Sequence, residues 1–139
     1  MKIIKYQINV VLSILGNTQS IGRGARGLAR IMITLLEEQD LYEKEQITIY
    51  ESYGCSVGQD GTIHYPDELD TEAMLTDITT LNNDTVIITL DSNPDFVTPM
   101  YETLLNDIKP LSSDLISMYD HILTAFEELT ENKEEETNE

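Results

Sequence analysis

Tryptophan is absent from this chain, cysteine occurs once, and only eight of its 139 residues are lysine or arginine. Each shortage removes a class of function. One cysteine, Cys55, cannot form an internal disulfide or a cysteine-based metal cluster, and a lone thiol fits a reducing cytoplasm. The two histidines, His64 and His121, have no cysteine or acidic partner at ligand spacing, so no Ser-His-Asp grouping can be read. No apolar run approaches the roughly 20 residues that a membrane span needs. The opening "MKIIKYQINVVLSILG" sets two lysines before an apolar stretch, as a signal peptide does. Gln7, Asn9 and Ser13 interrupt it and no A-x-A-like site follows, so the expectation is a chain without such a leader.

What is abundant is acid. Aspartate and glutamate number 26, for a net charge of −18. Seven of these acids lie between Glu127 and Glu139, yet nineteen acids against seven bases remain in residues 1–126. The acidity therefore belongs to the body as well as to the end. A surface of this sign repels nucleic acid and anionic membranes. It attracts basic proteins and speeds their encounter, and it also keeps a protein in solution. The seven tyrosines offer interface material wherever they are exposed.

The length suits one domain, expected over residues 1–129, with a disordered acidic tail over 130–139. "KYQINVVLSIL" reads as a buried strand ending at Gly16. Residues 21–39 read as a helix with Gly24, Gly27, Leu28, Ile31 and Leu35 on one side. "QITIYESYGCSV" alternates as a strand, and "GQDGT" with "TIHY" completes a hairpin. Asp70 is the expected N-cap of a helix over 71–81 with Met74, Ile78 and Leu81 inside. "TVIITL" reads as a central parallel strand. Asn93-Pro94 and Thr98-Pro99 both read as an N-cap followed by proline at the first helical position, and the main helix is expected to start at Thr98 and stop before Pro110, because proline is costly inside a helix. Leu115, Tyr119, Ile122, Phe126 and Leu129 form one face of a last helix. The order predicts an α/β sandwich: a mixed sheet of about four strands, two of them parallel, packed by about four helices.

Two stretches carry candidate chemistry. "GRGARG" fits the dinucleotide fingerprint letter for letter. It starts six residues beyond the expected strand end, and no second strand ending in an acid follows at the right distance. No Gly-Lys-Ser/Thr follows either, so the glycines are expected to let a helix lie close on a sheet. Arg23, Arg26 and Arg30 fall on one helical face. With Asn17 and Ser20 from the preceding loop they could hold an anion, or pair with the chain's own acids such as Glu37. The second stretch, "DSNPDFVTPMYE", spaces Asp91, Asn93, Asp95 and Glu102 like the ligands of a calcium loop. Phe96 replaces the turn glycine, Pro94 stiffens the loop, and helix capping accounts for Asn93 and Asp95.

Small size, the lack of a catalytic constellation and a heavily acidic body resemble the proteins that imitate the charge of nucleic acid. Many of those come from phages and mobile elements and block nucleases or other DNA-binding proteins. The resemblance implies a cytoplasmic binder or inhibitor rather than an enzyme, with no cofactor. Its partner would be a basic or nucleic-acid-binding protein, without direct contact to nucleic acid or membrane. Rows of carboxylates would make the contact: Glu37, Glu38, Asp40, Glu43 and Glu45 in one group, Asp67, Glu68, Asp70 and Glu72 in another. Two readings stand beside it. One is a nucleotide or other anion site built from the Gly16–Gly24 loop with Arg23 and Arg26. The other is an acidic-tailed assembly factor that pairs through its last helix, which leaves room for a homodimer.

Overall fold

The structure, a computed structural model, describes residues 1–18, 22–90, 94–106 and 108–137, without the side chains of 23, 94 and 130 onward. It overturns the expected sandwich. Helix takes 69% of the described residues, so the layers are helix on helix. The described residues form only two sheets, each of two antiparallel strands. Among them there is no four-stranded mixed sheet and no parallel pair.

The chain opens with β1 (Lys2–Ile4), a 3₁₀ turn over Lys5–Gln7, and α1 (Ile8–Gly16). The segment expected as the first strand is thus mostly helix. Ile8, Val11, Ile14 and Leu15 are its buried residues, spaced three and four apart as one helical face. The β-branched Ile8, Val11 and Ile14 favour a strand locally, but packing of this face on the core overrides it, while Asn9, Ser13 and Gly16 stay exposed. The boundary at Gly16 holds while the element type changes.

Helix α2 (Gly22–Ser52) runs 31 residues, about 46 Å at 1.5 Å per residue. It absorbs the segment expected as the second strand. Leu35, Tyr42 and Ile49 face inward at a seven-residue spacing that continues the face begun by Leu28 and Ile31. After it come the hairpin strands β2 (Ser56–Val57) and β3 (Ile63–His64). The hairpin stands where the sequence placed it, in shorter form. Its turn uses Gly61 at a φ of +84°. The Asp60 carboxylate accepts from the Thr62 N–H at 3.1 Å and the Thr62 hydroxyl at 2.8 Å.

Helix α3 (Thr71–Asn82) begins as expected: the Asp70 side chain accepts from the Ala73 N–H at 3.1 Å. Strand β4 (Thr85–Ile87) pairs antiparallel with β1, Ile3 opposite Val86. It is an outer ribbon, not a central strand. Val86 and Ile88 are buried while Ile87 is 73% exposed, so the apolar run alternates in and out.

Helix α4 (Pro94–Asn106) contains Pro99 in its interior. Pro94 starts the helix instead, at the first position where a missing N–H costs nothing. The interior proline is tolerated because the helix is held by its packing: Val97, Met100 and Leu104 are all buried. Helix α5 (Ser113–Thr137) buries Met118, Ile122 and Phe126, with Leu115, Tyr119 and Leu129 half-buried beside them. The backbone of α5 is helical as far as Thr137.

The two central glycines do permit a close approach, but to a helix rather than a sheet. A Cβ on Gly24 would sit 2.7 Å from Thr103 Oγ1 and 3.0 Å from the Pro99 carbonyl oxygen. A Cβ on Gly27 would sit 2.8 Å from Met100 Cγ. Helices α2 and α4 therefore cross with backbone nearly touching side chain, and this crossing sets the centre of the core.

Candidate functional site

The expected site residues fall into four places. The first group of acids lies along α2. Glu37, Asp40 and Glu43 face solvent there, and Glu38 and Glu45 are half-buried. Among the described residues, two of the five have internal partners. Glu45 grips the buried Lys5, its two oxygens 2.8 and 2.9 Å from Nζ. Asp40 pairs with Lys44 at 2.8 Å.

The second group lies at one end of the molecule, and the fold adds more acid to it. α2 ends at Ser52, Gly54 turns the chain at a φ of +86°, and the buried Cys55 thiol meets Met74 sulfur at 4.0 Å. Past the hairpin, α3 returns along α2 in the opposite direction. Tyr53 donates to Asp77 and Tyr42 donates to Asn82. This places Asp67, Glu68, Asp70 and Glu72 beside Glu51 and Asp77, all six exposed. Donation to Asp77 holds the Tyr53 hydroxyl above the ordinary tyrosine value. The Thr62 hydroxyl and N–H hold the Asp60 carboxyl on the neighbouring turn below the usual aspartate value.

The sequence has no lysine or arginine between Lys44 and Lys109, while thirteen acids fall between them. Two shallow grooves follow α3. One is lined by Asp70, Glu72, Ala73, Thr76 and Asp77, the other by Glu72, Leu75, Thr76, Thr79 and Thr80. The hydroxyls of Thr76 and Thr80 are spent on carbonyls one turn back, at 2.9 Å. The charged groups lining these grooves are the carboxylates of Asp70, Glu72 and Asp77. Tyr65 and Leu75, 57% and 52% exposed, add apolar surface. The chemistry suits cationic side chains with apolar stems.

Asp67, Glu68, Asp70 and Glu72 were legible in the sequence, and Tyr65 was among the tyrosines expected to offer interface material, whereas Glu51, Asp77 and Leu75 were missed. The stretch without lysine or arginine was the available signal. What it could not show was that α3 folds back on the end of α2. Asp70 also has a structural duty, as the cap of α3.

The arginine stripe does not assemble into a site that the described residues show. Arg26 is exposed. Arg30 lies over the Phe96 ring, 5.1 Å from its centre, while Glu37 stands exposed two turns on. Ser20 and the Arg23 side chain lie outside the described residues. Asn17 caps the end of α1, and its carbonyl accepts from the Lys109 N–H at 3.0 Å.

Of the calcium-spaced residues, Asp91 and Asn93 lie outside the described residues. Asp95 and Glu102 both lie on α4, a rod about 10 Å apart along its axis and not a loop that wraps an ion. Among the described residues no three His, Cys, Asp or Glu side chains gather to hold a metal. A groove between β1 and α5 collects Lys2, Gln7, Ser117 and His121. There His121 Nε2 is 2.9 Å from the Lys2 carbonyl, so that nitrogen is the donor. His64 is exposed on β3.

No helix of the described residues is long and apolar enough to cross a membrane. No protein-family model, curated protein or solved structure matches the chain.

Proposed function

We propose that this chain is an acidic binding protein that receives a basic partner, such as the nucleic-acid-binding face of another protein, on the pole made by the end of α2, the hairpin and α3. One observation carries the reading: six exposed carboxylates share this pole, and the chain between Lys44 and Lys109 supplies no lysine or arginine to neutralise them. Such a field speeds encounter with a cationic surface and repels nucleic acid itself. Tyr65 and Leu75 give the partner something to bury. The setting fits a cytoplasm, where the single buried thiol of Cys55 stays reduced. A role as an inhibitor that occupies a nucleic-acid-binding surface, of the kind phages and mobile elements encode, follows from the same field.

The test begins with capture of a basic protein from the source cell and continues with its affinity across a salt series. The affinity should fall steeply as salt rises. Asp67→Lys with Glu68→Lys should weaken binding more than Glu37→Lys with Glu38→Lys, because only the first pair sits at the pole. Binding that ignores both salt and the pole substitutions sinks the proposal.

A further inference from the structure

Helix α2 carries a second stripe on the side away from α4. Arg26, Ala29, Ile33, Leu36, Asp40 and Glu43 recur at alternating spacings of three and four, the pattern of a coiled-coil seam. All six face solvent, and Ile33 and Leu36 keep 58% and 50% of their surface exposed. None of them serves the core, which α2 supplies from Leu28, Ile31, Leu35 and Tyr42.

The order of charge along the stripe is its informative property. It runs from base through apolar to acid. A stripe of that kind complements itself when reversed. We propose that a second copy of this chain covers it, with the two α2 helices antiparallel about a two-fold axis between Ile33 and Leu36.

The spacing closes on this axis. Ile33 then meets the partner's Leu36, Ala29 meets the partner's Asp40, and Arg26 meets the partner's Glu43. Arg26 and Glu43 each stand about 13 Å along the helix from the axis. Neither takes part in an ion pair within its own chain among the described residues. Asp40 keeps its exposed pair with Lys44 at the rim, where such a pair contributes little. A parallel pairing would set Arg26 against the partner's Arg26 and Glu43 against the partner's Glu43, so charge selects the antiparallel form. The seam does not use Asp67, Glu68, Glu72 or Asp77, so this inference and the binding function stand or fall separately.

Sedimentation equilibrium of the full chain over a range of concentrations tests it. A monomer–dimer equilibrium is expected. Leu36→Glu should weaken it, and Arg26→Glu or Glu43→Arg alone should each weaken it at least about tenfold. The double variant Arg26→Glu/Glu43→Arg should recover the dimer, because the swap restores the pairing. The three substituted positions are exposed, and circular dichroism confirms that each variant keeps its helix. A monomer at every concentration, or a dimer indifferent to the single reversals, or one not recovered by the double swap, overturns the proposal.

Discussion

The ammonium of Lys5 lies 2.8 Å from the carboxylate of Glu45, forty positions later in the chain. Asp84 stands 3.5 Å from the same nitrogen, and its carbonyl accepts from the Lys5 N–H at 2.9 Å. One nearly buried lysine thus ties the chain's start to the last turns of α2 and to the entry of β4. Breaking the pair from one side leaves a charge without its partner. Lys5→Met should lower stability by about 2 kcal/mol, less than a fully buried pair would cost because Glu45 is partly wet. The double variant Lys5→Met/Glu45→Met should cost less than the two single changes added, and urea midpoints measure the difference.

The same site fixes a pH dependence. Burial pulls the Lys5 ammonium down, but Glu45 and then Asp84 outweigh it, and its pKa stands above the ordinary 10.5. A base whose folded pKa is raised contributes stability that is complete below its unfolded value and is lost as pH rises through the folded one. The wild type should therefore lose this contribution only in the strongly alkaline range, beyond 10.5. The urea midpoint of wild type minus that of Lys5→Met, followed against pH, isolates the lysine. A difference that stays constant above that range would contradict the assignment.

At the α2–α4 crossing, Gly24→Ala and Gly27→Ala should both destabilise, by about 1–3 kcal/mol as overpacking does. Alanine's better helix propensity recovers at most about 1 kcal/mol of this. Gly24→Ala should cost more. Its new methyl meets the Pro99 carbonyl at 3.0 Å, which is backbone, whereas the methyl at Gly27 meets the flexible Met100 side chain. Thermal melts of the two variants rank them.

At the acidic pole, Asp70→Ala removes the cap of α3 and should cost about 1 kcal/mol, whereas Asp70→Asn keeps an oxygen for the Ala73 N–H and should cost only a few tenths. Thermal melts of the pair separate the cap from the charge. If Asp70 also meets a partner through its charge, the Asp70→Asn variant will fold like wild type and bind less well at low salt.

Sequence and structure agree where a local rule acts alone. The cap at Asp70, the turn at Asp60-Gly61 and the inward face of α5 needed only capping geometry, positive-φ chemistry and helical spacing. They part at "INVVLSIL" and "QITIYE", where β-branched residues suggested strands. Such runs fit a buried helix equally well, and the deciding signal was the seven-residue recurrence of Leu35, Tyr42 and Ile49. Pro99 misled for a related reason: the general cost of proline in a helix gave way to the packing of Val97, Met100 and Leu104. Of the candidate site, the acids of residues 67–72 were legible, and Glu51 and Asp77 were not, because they join the pole only through the return of α3.

The sequence by itself determined the sign of the surface, the absence of disulfides within the chain and the lack of lysine and arginine between Lys44 and Lys109, because composition and covalent chemistry do not depend on folding. Only the tertiary structure decided which carboxylates are spent and which are left over. Glu45 goes to Lys5, Asp70 goes to the helix it caps, Asp77 takes the Tyr53 hydroxyl, and Glu51 and Glu72 remain at the surface. That sorting depends on which distant segments share a core, and here the apolar faces of α1, α2, α4 and α5 chose each other through contacts that no local pattern encodes.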